Sequence, residues 1–185
     1  MPPKIKISRE DVINTAVSIV RKHGAEALNA RALAKKLNCS TQPIFSNFET
    51  MEKLRFAVIE FADALYNEYT ENELKLKKYP EYKATGMAYI RFAKEEKELF
   101  KLLFMRDRST ENIPITFSKS LSDIVENTTG LNSDKAKLFH LEMWVYVHGI
   151  ATMTATNYLK LDEALISDII SDAYQGMRKR FDVKE

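Results

Sequence analysis

Uncharged side chains that can form hydrogen bonds are concentrated in residues 40–47 of this chain. Ile44 and Phe48 follow each other at i,i+4 spacing, which places both on the inner face of a short helix. The same spacing leaves on the outer face Thr41, Gln42, Ser46 and Asn47. Amide and hydroxyl groups of this kind bind base edges in the major groove of DNA, where Gln is suited to adenine. The segment therefore predicts a helix that reads a DNA groove.

A second short helix is predicted just before this segment, with a tight turn between the two. Asn29 is a favoured N-cap residue for a helix that buries Leu33. Asn38 follows where the chain must turn, because Asn adopts the left-handed conformation more readily than most residues. Ser40 is expected to cap the second helix, whose first turn contains Pro43. Together these signals predict a helix-turn-helix.

A longer pattern surrounds the two helices. Its positions are Gly24, Leu28, Asn29, Arg31, Leu33, Ala34, Pro43, Ile44, Phe45, Phe48, Glu52 and Leu54. Over residues 8–60 this pattern resembles the DNA-binding head of the TetR family of transcriptional regulators. The resemblance implies that the head binds a palindromic double-stranded DNA operator. The residues expected to contact that DNA are Arg31, Lys36, Thr41, Gln42, Pro43, Phe45, Asn47 and Lys53.

Three positions depart from the family pattern. Asn38 replaces a turn glycine, Phe45 replaces a tyrosine, and Met51 replaces a lysine. In the family that tyrosine and that lysine bind phosphates, so both contacts are expected to be missing here. The lysines that could supply the charge instead are Lys35, Lys36 and Lys53.

Charge is distributed unevenly along the chain. Residues 1–50 contain eight Lys and Arg against four Asp and Glu, whereas all 185 residues carry a formal net charge of only +2. The first 50 residues are therefore basic and the remainder is mildly acidic, as expected if one end of the molecule binds DNA. An ordinary solvated helix surface would produce the same asymmetry.

Composition argues against several other classes of protein. An apolar content of 45% supports a folded core, but no run of 18 apolar residues occurs, so no membrane contact is predicted. Residues 1–4 lead into a charged segment and not into a secretion signal, so we expect a cytoplasmic protein. One cysteine, Cys39, and three scattered histidines give no metal-ligand spacing, so neither a metal nor a cofactor is expected.

Helical spacing recurs throughout the chain and predicts an all-α fold. Ser8 and Asp11 indicate a capping box for a first helix of residues 9–23, which Gly24 ends. A long helix is predicted for about residues 50–78. Further helices are predicted at about residues 81–96, 97–106, 114–129, 133–159 and 162–181.

Two domains are expected to share the long helix. Residues 1–50 would form a three-helix helix-turn-helix domain, and residues 51–185 a helical body for effector binding and dimerisation. Because no linker composition separates the two, a shift in the body could be transmitted to the head.

Aromatic and methionine side chains are densest in the middle of the body. Those expected to line an effector pocket are Phe92, Phe100, Phe104, Met105, Phe117, Trp144 and His148. Flexible Met beside aromatic walls suits a cavity for a small apolar or aromatic molecule, although ordinary core packing would use the same residues. Trp144, His148 and Gly149 resemble the Trp-x-x-x-His-Gly element of one TetR subgroup. His148 could sense a ligand or simply be buried and bonded to a neighbour.

The last predicted helix carries a broad apolar stripe. Its residues are Leu165, Ile166, Ile169, Ile170, Ala173, Tyr174, Met177 and Phe181. The family resemblance implies that the two C-terminal helices of each chain form a four-helix bundle across a two-fold axis. We therefore expect a homodimer through the faces of residues 140–158 and 163–181, with Ile170 at the interface. Packing within one chain is the alternative.

Three classes of function can be compared on these grounds. An enzyme would need a nucleophile with a base, paired carboxylates or a metal cluster, yet Ser, His and Asp fall at no recognisable catalytic spacing. A helical carrier of apolar molecules would explain the body but not the head. The sequence therefore predicts a ligand-responsive, homodimeric transcriptional regulator, with repression as the expected mode.

Overall fold

The computed structural model describes residues 7–109, 119–181 and 183. In this part of the chain every regular element is a helix, which confirms the predicted all-α class. The α-helices are α1 (Arg9–His23), α2 (Ala30–Lys36), α3 (Gln42–Phe48), α4 (Met51–Leu76), α5 (Glu81–Glu95), α6 (Lys97–Phe104), α7 (Lys119–Thr129), α8 (Ser133–Ala155) and α9 (Glu163–Arg180). None of these described helices is both long and apolar enough to cross a membrane.

The first helix begins and ends where the sequence predicts. Ser8 Oγ accepts a hydrogen bond from Asp11 N at 3.0 Å, and Asp11 Oδ2 accepts one from Ser8 N at 2.9 Å. These two bonds form the predicted capping box, and the hydrogen bonds from Ser8 hold the pKa of Asp11 below its ordinary value. α1 stops at Gly24, whose φ of 82° is strained for any residue with a Cβ.

The helix-turn-helix consists of α2, a tight turn and α3. Asn29 Oδ1 caps α2 by accepting a hydrogen bond from Ala32 N at 2.9 Å. Asn38 lies in the turn with φ of 52°, in the left-handed conformation that its residue type tolerates. Both predictions from the sequence are therefore confirmed.

The predicted cap of the second helix is wrong. α3 begins at Gln42, its N-cap residue is Thr41, and no side chain caps it. A cap by Ser40 would use the backbone N–H of the residue two or three positions later. The residue three positions later is Pro43, which has no N–H to donate, and the helix begins one residue later than Ser40 would need.

The described chain divides into two compact units. The first runs up to Leu65 and resumes from Glu96 to Arg106, so it contains the helix-turn-helix, the beginning of α4 and all of α6. Its buried core includes Val12, Ala16, Val20, Leu28, Leu33, Ile44, Phe48, Leu54, Val58, Leu99 and Phe100. The predicted three-helix head is thus enlarged by a helix that follows much later in the sequence.

An ion pair joins α1 to the start of α6 inside this first unit. Arg21 Nε lies 2.8 Å from Glu96 Oε2, and Arg21 Nη2 lies 2.7 Å from Glu96 Oε1. Two parallel N–H donors on one carboxylate make this a bidentate contact with a defined geometry. Nearby, a Cβ on Gly24 would lie 3.3 Å from Glu98 Oε2, the end of a flexible side chain, so the positive φ of Gly24 and not lack of space is what favours glycine there.

The second unit contains residues 66–95 and the described residues from Asp107 onward. α5 packs most extensively against α8, and both α7 and α9 contact this pair of helices. The large buried side chains of its core include Tyr82, Met87, Tyr89, Phe92, Val125, Phe139, Met143, Val147 and Ile170. The helix pair α5 and α8 is therefore the centre of the unit.

The predicted interface stripe on α9 is divided between two faces. Ile166 and Ile170 are 4% and 3% exposed, so the prediction that Ile170 faces another chain is wrong. A Cβ added to Gly86 on α5 would lie 4.0 Å from Ile170 Cδ1, so Ile170 packs close to the α5 backbone. Leu165, by contrast, is 46% exposed. The stripe is broad because one part of it packs on α5 and α8 within the chain and another part, which includes Leu165, remains exposed.

Candidate functional site

The outer face of α3 is uncharged. Ile44 and Phe48 hold the helix in the core at 1% and 3% exposure, while Gln42 and Ser46 are exposed and Phe45 is 40% exposed. Arg9 on α1 places its guanidinium 4.7 Å from the centroid of the Phe48 ring and so covers the inner side of the helix. The helix presents hydrogen-bonding groups and one aromatic edge on a rigid support, which is the geometry that groove reading needs.

Asn47 does not share this outer face. Its Nδ2 donates hydrogen bonds to the carbonyl oxygens of Pro43, at 2.8 Å, and Ile7, at 3.3 Å. The side chain is half-buried and ties α3 to Ile7, two residues before α1 begins. Among the predicted DNA contacts, Asn47 is therefore the one whose amide is already used by the protein backbone.

The predicted basic contacts lie on α2 and α4. Arg31 is exposed on α2, and Lys36 Nζ donates a hydrogen bond to Ser18 Oγ at 2.6 Å. Lys53 Nζ lies 2.5 Å from Glu49 Oε2 in an ion pair whose side chains are 59% and 75% exposed. Exposed pairs of this kind contribute little to stability, so Lys53 can exchange its partner for a phosphate at small cost.

The remaining positions of the predicted set lie at the beginning of α3. Thr41 and Pro43 are partly exposed there. Ser46 is absent from that set although it is exposed one helical turn after Gln42. The i,i+4 spacing of Gln42 and Ser46 is the signal that identifies it.

A polar aromatic cluster occupies the α5 and α8 pair in the second unit. Tyr89 Oη lies 2.8 Å from His148 Nδ1, and the His148 ring stacks on Trp144 at 5.0 Å between centroids and 24° between planes. Tyr66 meets Tyr89 edge-on at 5.7 Å, and Phe92 lies 5.6 Å from Tyr66. Three predicted effector residues, Phe92, Trp144 and His148, are therefore brought together. Tyr66 and Tyr89, which the prediction missed, link them.

The other predicted effector residues do not belong to the second unit or are not described. Phe100 and Phe104 are in contact with each other at 5.3 Å between ring centroids, on α6 in the first unit. Met105 follows them and is 41% exposed. Phe117 lies outside the described residues. The sequence could not reveal this division, because it depends on which unit α6 joins.

A second tyrosine–histidine pair repeats the first along the same two helices. Tyr82 Oη lies 2.9 Å from His140 Nδ1, and both side chains are buried. Burial lowers the pKa of His140 to about 4 and lowers the pKa of His148 as well. Burial also raises the pKa of Tyr82 and of Tyr89. All four groups are therefore neutral at pH 7, so the contacts between α5 and α8 are neutral hydrogen bonds.

The buried imidazole of His140 predicts a loss of stability in acid. The unfolded chain binds a proton on His140 below its ordinary pKa of 6.5, whereas the folded chain does so only at about pH 4. The free energy of unfolding should thus fall by about 1.4 kcal/mol for each pH unit in that window. In urea unfolding, we therefore expect the free energy of unfolding of the wild type to fall relative to that of His140→Phe by up to this amount for each pH unit between 6.5 and 4.

A matched control separates this effect from general acid unfolding. His23 is exposed at the end of α1, and His23→Gln keeps the buried imidazole of His140, so this variant should still lose stability between pH 6.5 and 4. A constant difference between the wild type and His140→Phe over the same pH range would contradict the assigned burial cost.

Within the described part of the chain, no group of three or more His, Cys, Asp or Glu side chains is arranged to hold a metal ion. Cys39 is a partly exposed free thiol in the turn of the helix-turn-helix.

The sequence and the fold of this chain are similar to those of known proteins. Residues 82–172 match the family of tetracyclin repressor-like C-terminal domains. A protein of unknown function from Rhodococcus sp. RHA1 is 19% identical, with a TM-score of 0.69 over 97% of this chain and 98% of that chain. A TetR-like transcriptional regulator from Rhodococcus sp. RHA1 is 14% identical, with a TM-score of 0.66 over 97% of both chains. No curated protein matches the sequence.

The family match and the two solved structures support different conclusions. At 19% and 14% identity the two solved structures show the fold alone. The family match covers α5, α6, α7 and α8 and most of α9. Residues 82–172 are thus similar to tetracyclin repressor-like C-terminal domains, and the chain has the TetR-like fold.

Proposed function

We propose that this protein is a homodimeric repressor that binds a palindromic DNA operator and is released by a small apolar or aromatic molecule. The observation that carries the proposal is the uncharged outer face of α3, held in place by Ile44 and Phe48 within a helix-turn-helix. Residues 1–50 would bind DNA, and residues 51–185 would bind the effector and dimerise. A protein acting on genomic DNA would work in the cytoplasm.

The proposed DNA contacts are of different chemical kinds. Gln42 would meet base edges, with Thr41 and Pro43 at the helix start beside it. The charges of Arg31, Lys36 and Lys53 would bind phosphates and set the register of the head. Phe45 would rest its exposed ring on the sugar-phosphate edge without the hydrogen bond that a tyrosine provides.

Dimerisation would use the outer face of α8. This helix is apolar on both sides, since it buries Phe139 and Val147 inward and still exposes large apolar side chains outward. Those outward residues are Leu138, Val145, Tyr146 and Met153, between 40% and 59% exposed. Apart from the backbone of its own helix, a Cβ on Gly149 would meet no atom of the described residues within 4 Å, so a partner helix could approach closely there. A helix that is apolar all round is normally covered.

Effector recognition would use the polar aromatic cluster of Tyr89, Trp144 and His148. Its stacked rings offer a flat apolar surface, and its two hydrogen-bonding groups offer orientation. α4 begins at the helix-turn-helix and continues into the second unit, so an effector that displaces its later turns would rotate the recognition helix. Release requires that the effector bind the non-DNA conformation more tightly.

Binding to a pool of randomised DNA duplexes tests the DNA-binding part. Affinity should fall as salt rises, and Lys36→Ala should weaken binding to all duplexes and reduce the slope of log K against log salt by about one. Lys75→Ala, an exposed lysine of the second unit, is the control and should change neither quantity. A chain that binds small aromatic molecules but no duplex would instead be a carrier.

The response to an effector is tested with the duplex that the pool enriches. Trp144 is the one tryptophan of the chain, so its fluorescence reports binding of small aromatic compounds at the cluster. A coupling of about 1–3 kcal/mol would weaken operator binding 5- to 150-fold, and the duplex must weaken compound binding by the same factor. Equal compound affinities with and without the duplex would exclude release by that site.

A further inference from the structure

We infer that Gln42 reads an adenine at the core of the operator half-site, so that this position is an A·T pair and not a G·C pair. Ser46, one helical turn further along α3, would contact the neighbouring base step. The inference rests on the proposed DNA-binding function and adds to it the identity of the base.

The residue types on α3 exclude the usual reading of guanine from this helix. Guanine presents O6 and N7 as acceptors in the major groove, and Arg or Lys supplies the matching donors. α3 contains no acidic or basic residue between Gln42 and Phe48. Its exposed side chains are Gln42, Phe45 and Ser46. A base-specific contact from this helix must therefore use an amide or a hydroxyl group.

Of the two amide side chains on α3, only that of Gln42 is available. Asn47 would also suit adenine by residue type, but its Nδ2 donates to the carbonyl oxygens of Pro43 and Ile7. Turning it outward would break both bonds and leave the Ile7 carbonyl without this donor. Gln42 is exposed, and within the described part of the chain its amide forms no hydrogen bond.

The position of Gln42 on the helix agrees with this role. Gln42 is the first residue of α3, and the N-terminal residues of a recognition helix are those that contact base edges. A glutamine amide can accept from adenine N6–H and donate to adenine N7 at once, which no other base pair permits in the same arrangement. Ser46 follows one turn, about 5.4 Å, along the axis, a distance of between one and two base steps of about 3.4 Å.

Selection from randomised duplexes followed by atomic substitution tests the inference. The wild type should enrich half-sites with a fixed adenine, and replacing that adenine by 7-deazaadenine removes N7 while leaving Watson–Crick pairing intact. We expect a loss of about 2- to 12-fold for the wild type, the worth of one hydrogen bond. Gln42→Ala should bind both duplexes equally, and it should bind the natural duplex about 5- to 150-fold more weakly than the wild type does.

A change of specificity provides an independent readout. Glutamate has the shape of glutamine but only accepts hydrogen bonds, and its carboxylate matches the N4 amino group of cytosine. Gln42→Glu should therefore shift the preferred base at that position from adenine to cytosine. Lys36→Ala is the control, because loss of a phosphate contact should weaken every duplex alike and leave the preference unchanged.

The outcomes separate failure of the inference from failure of the proposed function. The inference alone would be overturned if 7-deaza substitution of the enriched adenine weakened binding by the wild type and by Gln42→Ala by the same factor. The inference alone would also be overturned if the wild type selected a guanine at the position where Gln42→Ala loses its base preference. A wild type with no salt-dependent binding to any duplex would overturn both.

Discussion

Replacing Val145 by Glu is expected to give a folded monomer that binds a two-half-site operator about 10²–10⁴-fold more weakly than the wild type. Val145 is 59% exposed on the outer face of α8, so a carboxylate there remains hydrated in the isolated chain. In the proposed dimer the same charge would be buried between two apolar helices. The dimer links two heads, and separating them removes the gain from binding both half-sites at once.

Sedimentation and circular dichroism distinguish this result from unfolding. Leu76→Glu is the matched control, because Leu76 is 62% exposed near the end of α4 and away from α8 in the sequence, and it should leave a dimer. Ile170→Glu should instead lose helix content, since Ile170 is buried against α5 and α8. A Val145→Glu protein that stays dimeric with full operator affinity would exclude this face of α8 as the interface.

Replacing Arg91 by Met is expected to lower the free energy of unfolding by about 3–5 kcal/mol. Glu73 on α4 is 1% exposed, and its Oε2 lies 2.7 Å from Arg91 Nη1 on α5. Glu163 is a more distant neighbour, 3.9 Å from Arg91 Nη2. Without the guanidinium, the Glu73 carboxylate would be buried without its compensating charge. Urea unfolding monitored by circular dichroism measures the difference.

Two further variants show whether the cost comes from the uncompensated charge. The double variant Glu73→Leu, Arg91→Met removes both charges, and its free energy of unfolding should lie within about 1 kcal/mol of that of the wild type. Lys75→Met breaks the exposed Glu71 pair on the same helix, at 3.4 Å, and should cost less than about 0.5 kcal/mol. If the single and double variants were equally destabilised, lost packing and not the buried carboxylate would be the cause.

Local signals in the sequence were sufficient for most of the helices. Capping by Ser8 and Asn29 depends on residues at most three positions apart, and both caps form as predicted. The left-handed Asn38 is likewise a property of residue type in a tight turn. Ser40 does not cap α3 although a cap is a local feature, because Thr41 is the N-cap residue and Pro43 has no N–H for Ser40 to accept from.

Tertiary packing decided what the sequence left open. The apolar stripe of α9 is real, but only the structure shows that Ile166 and Ile170 face inward and Leu165 outward. Asn47 has the right type and spacing for base contact, yet a backbone carbonyl 40 residues earlier, that of Ile7, takes its amide. In the predicted effector set, Phe100 and Phe104 belong to the first unit because α6 packs on α1. Periodicity shows that a face is apolar and cannot say which partner covers it.

The first unit is discontinuous in the gene because α6 completes its core. Leu99 and Phe100 are fully buried in that unit, and Glu96 is bonded to Arg21, although residues 66–95 intervene in the sequence. A recombination with one crossover, for example after Leu65, would give the head the α6 of another protein. The foreign helix would have to match α1 in shape and charge. Heads and bodies of this type should therefore be inherited as co-adapted pairs, and operator specificity should change by substitutions on α3 more readily than by exchange of heads.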